Sequence, residues 1–202
     1  MRAKVKIYPS VAGYDLAASD YDKKEKYLDS FEKGKVMELL GDIYNKKILD
    51  AGAGTGRLSA AMAKAGAEII ALDISKAMLK VLKRKNPRVQ TVVGDAEALP
   101  FAGETFDWVV AAFLIVHLKD PSRFFDEAYR VLKDGGRLLV TNINQKEPPE
   151  IRAKKEAIKI ESYYHRPEKI RDLISSLAFT VEKEIFVRED NTWINQIIVA
   201  KK

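Results

Sequence analysis

The sequence predicts an α/β protein whose sheet is mostly parallel. A short apolar run, a glycine-rich turn and a helical apolar pattern follow one another over residues 47–66, and a second apolar run occupies residues 68–73. The near-continuous apolar stretch 106–113 is typical of a central parallel strand that is buried on both faces. Two alternating stretches, about 180–188 and 192–200, predict a closing antiparallel hairpin.

The N-terminal residues 1–45 are expected to form an arm and a covering helix. Residues 5–8 are compatible with either an arm or a short strand. Tyr-Asp pairs begin at Tyr14 and Tyr21, before a helical apolar pattern that runs to about Leu40. Packing and capping are ordinary roles for these tyrosines, and contact with a ligand is the alternative.

The glycine-rich turn is the feature around which a ligand site would form. Asp50 ends the first apolar run, and glycines then occupy every second position, at Gly52, Gly54 and Gly56. Glycine allows the positive φ of a sharp turn and, having no Cβ, lets a ligand approach the backbone. The following helix would present unpaired N–H groups and the positive end of its dipole. A tight turn without a ligand is the alternative, because glycine-rich turns alone are weakly specific.

An acid at the end of the second strand adds a more specific signal. Asp73 lies seventeen residues after Gly56, and an acid at this place typically accepts hydrogen bonds from the ribose of a nucleoside cofactor. Nicotinamide dinucleotides and S-adenosylmethionine are the two main candidates. The spacing D-x-G-x-G-x-G differs from the G-x-G-x-x-G of dinucleotide binders, and the leading acid Asp50 would repel a pyrophosphate. The ammonium and sulfonium of S-adenosylmethionine would be attracted instead, so this cofactor is favoured.

The glycine-rich stretch resembles the first motif of class I S-adenosylmethionine-dependent methyltransferases of the small, single-domain, type 11-like kind. The resemblance continues in order through residues 94–101 (GDAEALPF), 106–110 (FDWVV) and 132–140 (LKDGGRLLV). It implies a Rossmann-like three-layer αβα sandwich. The sheet would have seven mostly parallel strands, with an antiparallel strand at the C-terminal hairpin.

The resemblance also implies how the chain is divided. We expect a single methyltransferase domain over residues 1–202. Within it, residues 1–45 would cover the site and residues 46–141 would form the cofactor-binding core. Residues 142–202 would supply an insertion on the substrate side and the C-terminal strands.

Roles for individual cofactor-binding residues follow from the same resemblance. Asp73 would hold the ribose, Asp95 would accept from the adenine amino group, and the Ala96 N–H would reach a ring nitrogen. Ile74 would lie against the adenine face, and Tyr21 is the better tyrosine candidate for touching the cofactor. A turn-forming Asp95 and a core position for Ile74 are the alternatives. The expected cofactor-binding residues are Tyr21, Asp50, Gly52, Ala53, Gly54, Gly56, Asp73, Ile74, Asp95, Ala96 and Phe113.

Caps and helix breakers locate the other elements. Ser75 is a predicted N-cap for a helix that residues 86–87 (Asn-Pro) end, and residues 89–93 form the third strand. Pro121 takes the first position of the next helix. A charged helix is expected over about residues 150–162.

Composition bounds the class of protein. The 202 residues are 47% hydrophobic and 32% charged, as in an ordinary globular domain. The absence of cysteine excludes disulfides and thiolate metal sites, and it favours a cytoplasmic protein; no metal site is expected. No apolar run approaches the roughly twenty residues of a membrane span, and the N-terminus lacks the apolar region of a signal peptide.

The net charge of +6 has two interpretations, a nucleic-acid partner or a solvated surface rich in Lys and Glu. The basic residues cluster only at 80–88 and 154–155, both on expected helix surfaces. We therefore expect no nucleic-acid partner, and either a monomer or a homodimer.

Methyl transfer requires alignment and, where the acceptor must lose a proton, a base. The sequence has two histidines, and both are candidates. His117 follows the fourth strand, near the expected methyl group, although a structural, hydrogen-bonded role is the alternative. His165 lies beside two tyrosines and would line the acceptor pocket from the other side.

Several chemistries are excluded or disfavoured. Without cysteine, no thiolate can attack a pyrimidine ring. The Asn/Asp-Pro-Pro-Tyr/Phe signature of adenine methylation in nucleic acid is absent after the fourth strand, where residues 113–116 are FLIV. Methyl transfer to a small or medium-sized acceptor molecule is therefore preferred.

Three alternatives remain open at this point. They are a tRNA or protein methyltransferase, a non-catalytic S-adenosylmethionine-binding module and a nicotinamide-dependent oxidoreductase. A closed, polar acceptor pocket would favour the small-molecule enzyme, whereas a blocked or absent pocket would favour the binding module. The glycine spacing and Asp95 argue against the oxidoreductase.

Overall fold

The structure is a computed structural model that describes residues 5–153 and 156–202. The α-helices of this part of the chain are α1 (Ser10–Ala17), α2 (Glu25–Glu32), α3 (Lys35–Leu40), α4 (Arg57–Lys64), α5 (Lys76–Lys85), α6 (Ser122–Val131) and α7 (Pro167–Ser176). The strands are β1 (Lys6–Tyr8), β2 (Lys47–Ala51), β3 (Glu68–Asp73), β4 (Gln90–Val93), β5 (Phe106–Ala111), β6 (Leu132–Ile143), β7 (Glu150–Ala153), β8 (Glu156–Ile160), β9 (Thr180–Glu189) and β10 (Thr192–Lys201).

The main sheet has seven strands in the order β4-β3-β2-β5-β6-β10-β9. The first five are parallel to their neighbours, whereas β10 pairs antiparallel with both β6 and β9. The order reverses between β2 and β5, which makes the carboxyl ends of these strands a topological switch point. The predicted fold class is confirmed, including the antiparallel C-terminal hairpin.

Helices cover both faces of the sheet. Alternate strand residues point to opposite faces, so Leu49 and Ile48 belong to different apolar clusters. One cluster includes buried residues of α6 and α7, such as Phe124 and Ile170, and the other includes residues of α3, α4 and α5, such as Met62. The predicted three layers result from this division of the core.

A second, smaller sheet has the order β1-β8-β7 and packs against α1. The prediction of a charged helix over about residues 150–162 is wrong, because β7 and β8 pair as antiparallel strands there. Ile151, Ile158 and Ile160 are buried at alternate positions and contact Ala17. Burial at every second residue is the pattern of a strand with one buried face. The charged residues between the buried positions would also suit a helix surface, which is why the sequence predicts a helix. The basic pair 154–155 lies outside the described residues.

The small sheet also decides between the two predictions for residues 5–8, an arm or a short strand. Residues 6–8 form a strand that pairs in parallel with β8. The helical pattern up to Leu40 is divided into α1, α2 and α3, and Gly34 separates the last two with φ of +75°. The helix α1 lies against the small sheet and also contacts α5, which covers the main sheet.

The sequence signals for caps and breakers are reproduced at Ser75 and Asn86, whereas Pro121 immediately precedes α6, which begins at Ser122, and is not its first residue. Ser75 caps α5, because its Oγ accepts a hydrogen bond from the Met78 N–H at 3.1 Å, and Asn86 follows the last helical residue. In the described ranges, no helix combines the length and apolar character needed to cross a bilayer.

Replacing Phe124 with alanine tests the core beneath α6. Phe124 is fully buried, so Phe124→Ala should lower the free energy of unfolding by about 3–5 kcal/mol, measured by urea denaturation. Val93→Ala is a control at a position 56% exposed, where a change within about 0.5 kcal/mol is expected. Equal effects at the two positions would contradict the assigned core.

Candidate active site

A cavity of about 240 Å³ opens at the carboxyl ends of β2, β3 and β5. It lies where open α/β sheets bind ligands, at the reversal of strand order. Its wall includes the following residues expected from the sequence: Tyr21, Asp50, Gly52, Ala53, Gly54, Asp73, Ile74, Asp95, Ala96, Phe113 and His117. Two expected site residues, Gly56 and His165, do not line it.

Gly56 is needed for packing, and it does not face the cavity. Its φ is +86°, and a Cβ there would lie 2.5 Å from Cγ of Leu82. The close approach of α4 to α5 therefore excludes a side chain at this position. Gly52 and Gly54, with φ of +73° and +55°, do line the cavity.

The N–H groups of the glycine turn are bound within the protein. Those of Gly52 and Ala53 donate to the carbonyl of Leu72 at 2.8 and 3.0 Å. The N–H of Gly54 donates to Asp73 Oδ2 at 2.8 Å, and that of Gly56 donates to the Ala53 carbonyl. A pyrophosphate would need such N–H groups pointing outwards, and these four donors are already used within the protein.

Asp50 is a carboxylate held almost out of water. It is 3% exposed, and its Oδ2 accepts a hydrogen bond from the Ser59 hydroxyl. Burial raises the pKa of Asp50 to about 6, and the Ser59 hydroxyl and the nearby Arg57 guanidinium oppose this shift. A cation in the cavity would favour the ionised form of Asp50.

Asp73 is the second buried acid, at the end of the adjacent strand. Its Oδ1 and Oδ2 accept hydrogen bonds from the N–H groups of Ser75 and Gly54, both at 2.8 Å. Burial raises the pKa of Asp73, and these two hydrogen bonds partly offset the rise. Each carboxylate oxygen has a further lone pair, so the group can still accept from a ligand hydroxyl.

The loop after β4 and the residue after Asp73 complete one end of the cavity. Asp95 is exposed and its Oδ1 accepts from the Glu97 N–H at 2.9 Å, as in a turn-forming Asp. Ile74 is 41% exposed and lines the cavity, so it is not a core residue. Ala96 is buried beside it. An apolar surface next to a carboxylate and a backbone N–H suits a planar heterocycle.

His117 is bound at both ring nitrogens. Nδ1 lies 2.9 Å from the Glu161 carbonyl and Nε2 lies 2.6 Å from the Tyr14 hydroxyl. Because a carbonyl only accepts, the ring carries its proton on Nδ1, and Nε2 accepts from Tyr14. Burial lowers the pKa of His117 and, as the largest effect, raises that of Tyr14. At neutral pH both groups are therefore uncharged.

His165 has a structural position, which differs from the expectation that it lines the acceptor pocket. The side chain is 3% exposed, and Nε2 donates to the carbonyls of Ile115 and Leu118 at 3.0 and 2.9 Å. This ring fixes the short helical turn Ile115–His117 that carries His117.

A second cavity of about 50 Å³ adjoins the first. The two share the wall residues Tyr14, Tyr21, Leu28, Phe113 and His117. The other residues of the second cavity are Tyr27, Phe31, Val116, Ile143, Gln145, Pro149, Ile151 and Ile160.

No Asp, Glu, Lys or Arg side chain is among the described residues that line the second cavity. A polar pocket would have favoured the small-molecule enzyme over the binding module, whereas this space is present but mostly apolar and aromatic. An uncharged ligand would be favoured there, because a buried charge without a partner is costly.

Sequence reasoning missed the two residues that join the cavities to the covering helices. The sequence favours Tyr21 over Tyr14 for ligand contact and does not indicate a bond between Tyr14 and His117, and it gives no role to Arg57. Arg57 lines the first cavity, and its guanidinium carbon lies 5.9 Å from the centre of the Phe113 ring. The position of Arg57 directly after the third glycine was the available signal.

Comparisons with known proteins agree with this geometry. A family model described as "Methyltransferase domain" matches residues 49–140. The demethylmenaquinone methyltransferase of Renibacterium salmoninarum is 36% identical over 137 residues, which are 66% of this chain and 58% of that protein. That of Clavibacter sepedonicus is 34% identical over 161 residues, 75% of this chain and 66% of that protein. The chain thus spans less than two thirds of the length of these relatives.

Solved structures share the fold at low sequence identity. An S-adenosylmethionine dependent methyltransferase from Mesorhizobium loti aligns with a TM-score of 0.72 at 15% identity, covering 87% of this chain and 100% of that one. Phosphoethanolamine N-methyltransferase 1 of Haemonchus contortus, in complex with phosphoethanolamine and S-adenosylhomocysteine, aligns with a TM-score of 0.79 at 18% identity. The alignment covers 94% of this chain and 47% of that one.

The donor set of the first cavity fits S-adenosylmethionine. Its two buried carboxylates, Asp50 and Asp73, attract positive charge and would repel a pyrophosphate, and four N–H groups of the glycine turn are already bonded within the protein. The motif order, the sheet and the matched family point the same way. Over residues 49–140, which carry most of this site, the chain is similar to the class I S-adenosylmethionine-dependent methyltransferases.

Proposed function

We propose that this protein transfers a methyl group to a small, uncharged, aromatic acceptor bound in the second cavity. The observation that supports the proposal is the wall shared by the two cavities. Because of this shared wall, an acceptor in the second cavity would lie next to a cofactor in the first. The relatives named demethylmenaquinone methyltransferases are consistent with an acceptor of this kind.

Residues of the first cavity would hold the cofactor, which supplies an activated methyl group on a positively charged sulfur. Asp73 would accept from the ribose hydroxyls, and Asp95, Ala96 and Ile74 would surround the adenine. Asp50 would offset the positive charge through its buried carboxylate. The protein's contribution is then alignment and exclusion of water.

Tyr14 and His117 would handle the acceptor's proton. An acceptor hydroxyl in the second cavity would release its proton to the Tyr14 oxygen, while the Tyr14 proton passes to Nε2 of His117. The Glu161 carbonyl holds the Nδ1 proton and would stabilise the resulting imidazolium. His117 thus acts as a base through Tyr14. If His117 had only a structural role, no proton would pass from Tyr14 to its ring.

The alternative of a non-catalytic binding module is less well supported, because the second cavity is neither blocked nor absent. A tRNA acceptor is disfavoured by the same cavity, since its described lining has no basic side chain for a phosphate.

A methyl-transfer assay with matched acceptors tests the proposal. Methyl-labelled S-adenosylmethionine is incubated with the protein and either 1-naphthol or its charged counterpart 1-hydroxy-2-naphthoate. We expect label in the neutral compound and far less in the anion, because the aromatic cavity cannot solvate a carboxylate. Transfer to the anion only, or to neither compound, contradicts the proposed acceptor class.

Removing the carboxylate of Asp73 should weaken cofactor binding. Asp73→Ala is expected to lower the affinity for S-adenosylhomocysteine by about 1.5–3 kcal/mol, the range for hydrogen bonds to a charged group. Calorimetric titration measures it, with Glu38→Gln, which changes an exposed acid 65% accessible to solvent, as the control. Unchanged affinity in Asp73→Ala would remove the ribose assignment.

Cofactor affinity should also depend on pH through Asp50. Because burial raises the pKa of this carboxyl to about 6, it is mostly protonated at pH 5 and mostly ionised at pH 7. Binding of the cationic S-adenosylmethionine should therefore weaken by up to about tenfold between pH 7 and pH 5. Asp50→Asn should show a flat profile over this range, and an unaltered slope in that variant would contradict the assignment.

Removal of the Tyr14 hydroxyl should slow turnover without affecting cofactor binding. Tyr14→Phe is expected to lower kcat with 1-naphthol by about 10²–10⁴-fold, the usual contribution of acid–base catalysis. Tyr44→Phe, at a tyrosine 67% exposed, is the matched control and should behave like the wild type. Normal turnover in Tyr14→Phe would exclude the relay.

A further inference from the structure

Arg57 forms a buried ion-pair cluster that the proposed chemistry does not use. It is the first residue of α4, directly after the glycine turn, and its side chain is 17% exposed. Nη1 and Nη2 donate to the two carboxylate oxygens of Glu32 at 2.8 and 2.9 Å, and Nη1 also donates to Asp29 at 2.8 Å. The Arg–Glu contact is a bidentate pair, which fixes direction as well as distance.

Both acids belong to α2, and the two differ in exposure. The Glu32 side chain is 3% exposed, whereas that of Asp29 is 54% exposed. Burial raises the pKa of Glu32, and the Arg57 guanidinium opposes the rise. A buried acid of this kind requires its partner, because removing one charge leaves the other uncompensated.

The helix α2 also carries part of the wall of the second cavity. Tyr27, Leu28 and Phe31 line it, and the Phe31 ring lies 6.0 Å from the Phe113 ring at a steep angle. Phe113 has a φ of +58°, lines both cavities and lies beside the Arg57 guanidinium. Arg57 therefore touches the glycine turn, the shared wall and α2 at once.

We infer that Arg57 is a positioning residue that couples occupancy of the first cavity to the placement of α2, and hence to the acceptor wall. This rests on the proposed function, since it assumes that the first cavity takes the cofactor. A ligand that orders the glycine turn and the start of α4 fixes the guanidinium. The Glu32 pair then transmits this order to α2, and by linkage an ordered α2 favours the ligand in return.

Other contacts of α2 with the main sheet are independent of the glycine turn. Asn195 Nδ2 donates to the Phe31 carbonyl at 3.2 Å, and Lys33 Nζ donates to the Arg188 carbonyl at 2.8 Å. These contacts keep α2 attached when the Arg57 pair is removed. A purely structural role for Arg57 would affect only the attachment of α2. A coupling role would also make α2 respond to a ligand in the first cavity, so this response distinguishes the two roles.

Hydrogen exchange with S-adenosylhomocysteine as the probe tests the inference. In the wild type, the ligand should slow exchange of the amides at the C-terminal end of α2, including that of Lys33, by about five- to 150-fold. In Glu32→Gln, which keeps the side-chain shape, the ligand should still protect α4 but should leave α2 exchange unchanged. Glu38→Gln removes the exposed Lys35–Glu38 pair and should respond like the wild type.

Asp29→Asn provides a second variant that is expected to fold, since Asp29 is half exposed and Glu32 remains in place. It should show a partial loss of α2 protection. Protection of α2 that persists in both Glu32→Gln and Asp29→Asn, or a wild type that binds the ligand without protecting α2, overturns the inference. Failure of the wild type to bind S-adenosylhomocysteine would instead contradict the proposed function.

Discussion

Two carboxylates buried at the ends of adjacent parallel strands are the constraint on which this site depends. Asp50 and Asp73 lie at the carboxyl ends of β2 and β3, and burial raises the pKa of each. Hydrogen bonds from Ser59, Gly54 and Ser75 stabilise the ionised forms. Two ionised carboxylates at the site favour a positively charged ligand, and this explains why an acid precedes the glycines.

The glycine turn serves this arrangement by bonding inwards. The N–H groups of Gly52 and Ala53 donate to the Leu72 carbonyl and that of Gly54 donates to Asp73, so the turn positions an acid and these donors are not free for an anion. The same residue type that cradles a phosphate in other α/β proteins here permits a sharp bend and close helix packing. Close helix packing requires glycine at position 56, because a Cβ at Gly56 would clash with the Leu82 side chain.

The covering elements are tied to the core by polar side chains that meet at the site. Asp15 accepts from the Ser75 hydroxyl at 2.6 Å, next to Asp73, and Tyr14 donates to His117 on the other side. Arg57 joins the glycine turn to α2. The second cavity exists because these helices and the small sheet are held over the ends of β5 and β6.

Local patterns in the sequence were enough to predict the main sheet and most of the first cavity. A strand, its glycine turn and the Ser75 cap depend on residues within a few positions of one another, and they were found. The hairpin of β7 and β8 was not, because Glu, Lys and Ala between the buried isoleucines suit a helix as well as an exposed strand face. The Tyr14–His117 bond joins residues 103 positions apart, and nothing in the periodicity of either segment indicates it.

The central claim is that the first cavity selects a cation-bearing nucleoside and rejects a pyrophosphate. Calorimetric titration of the wild type with S-adenosylmethionine, S-adenosylhomocysteine and NAD in parallel tests this claim most directly. We predict binding of both sulfur compounds and no measurable binding of NAD. Binding of NAD with an affinity equal to or above theirs would contradict the account of the glycine turn and of the two buried acids.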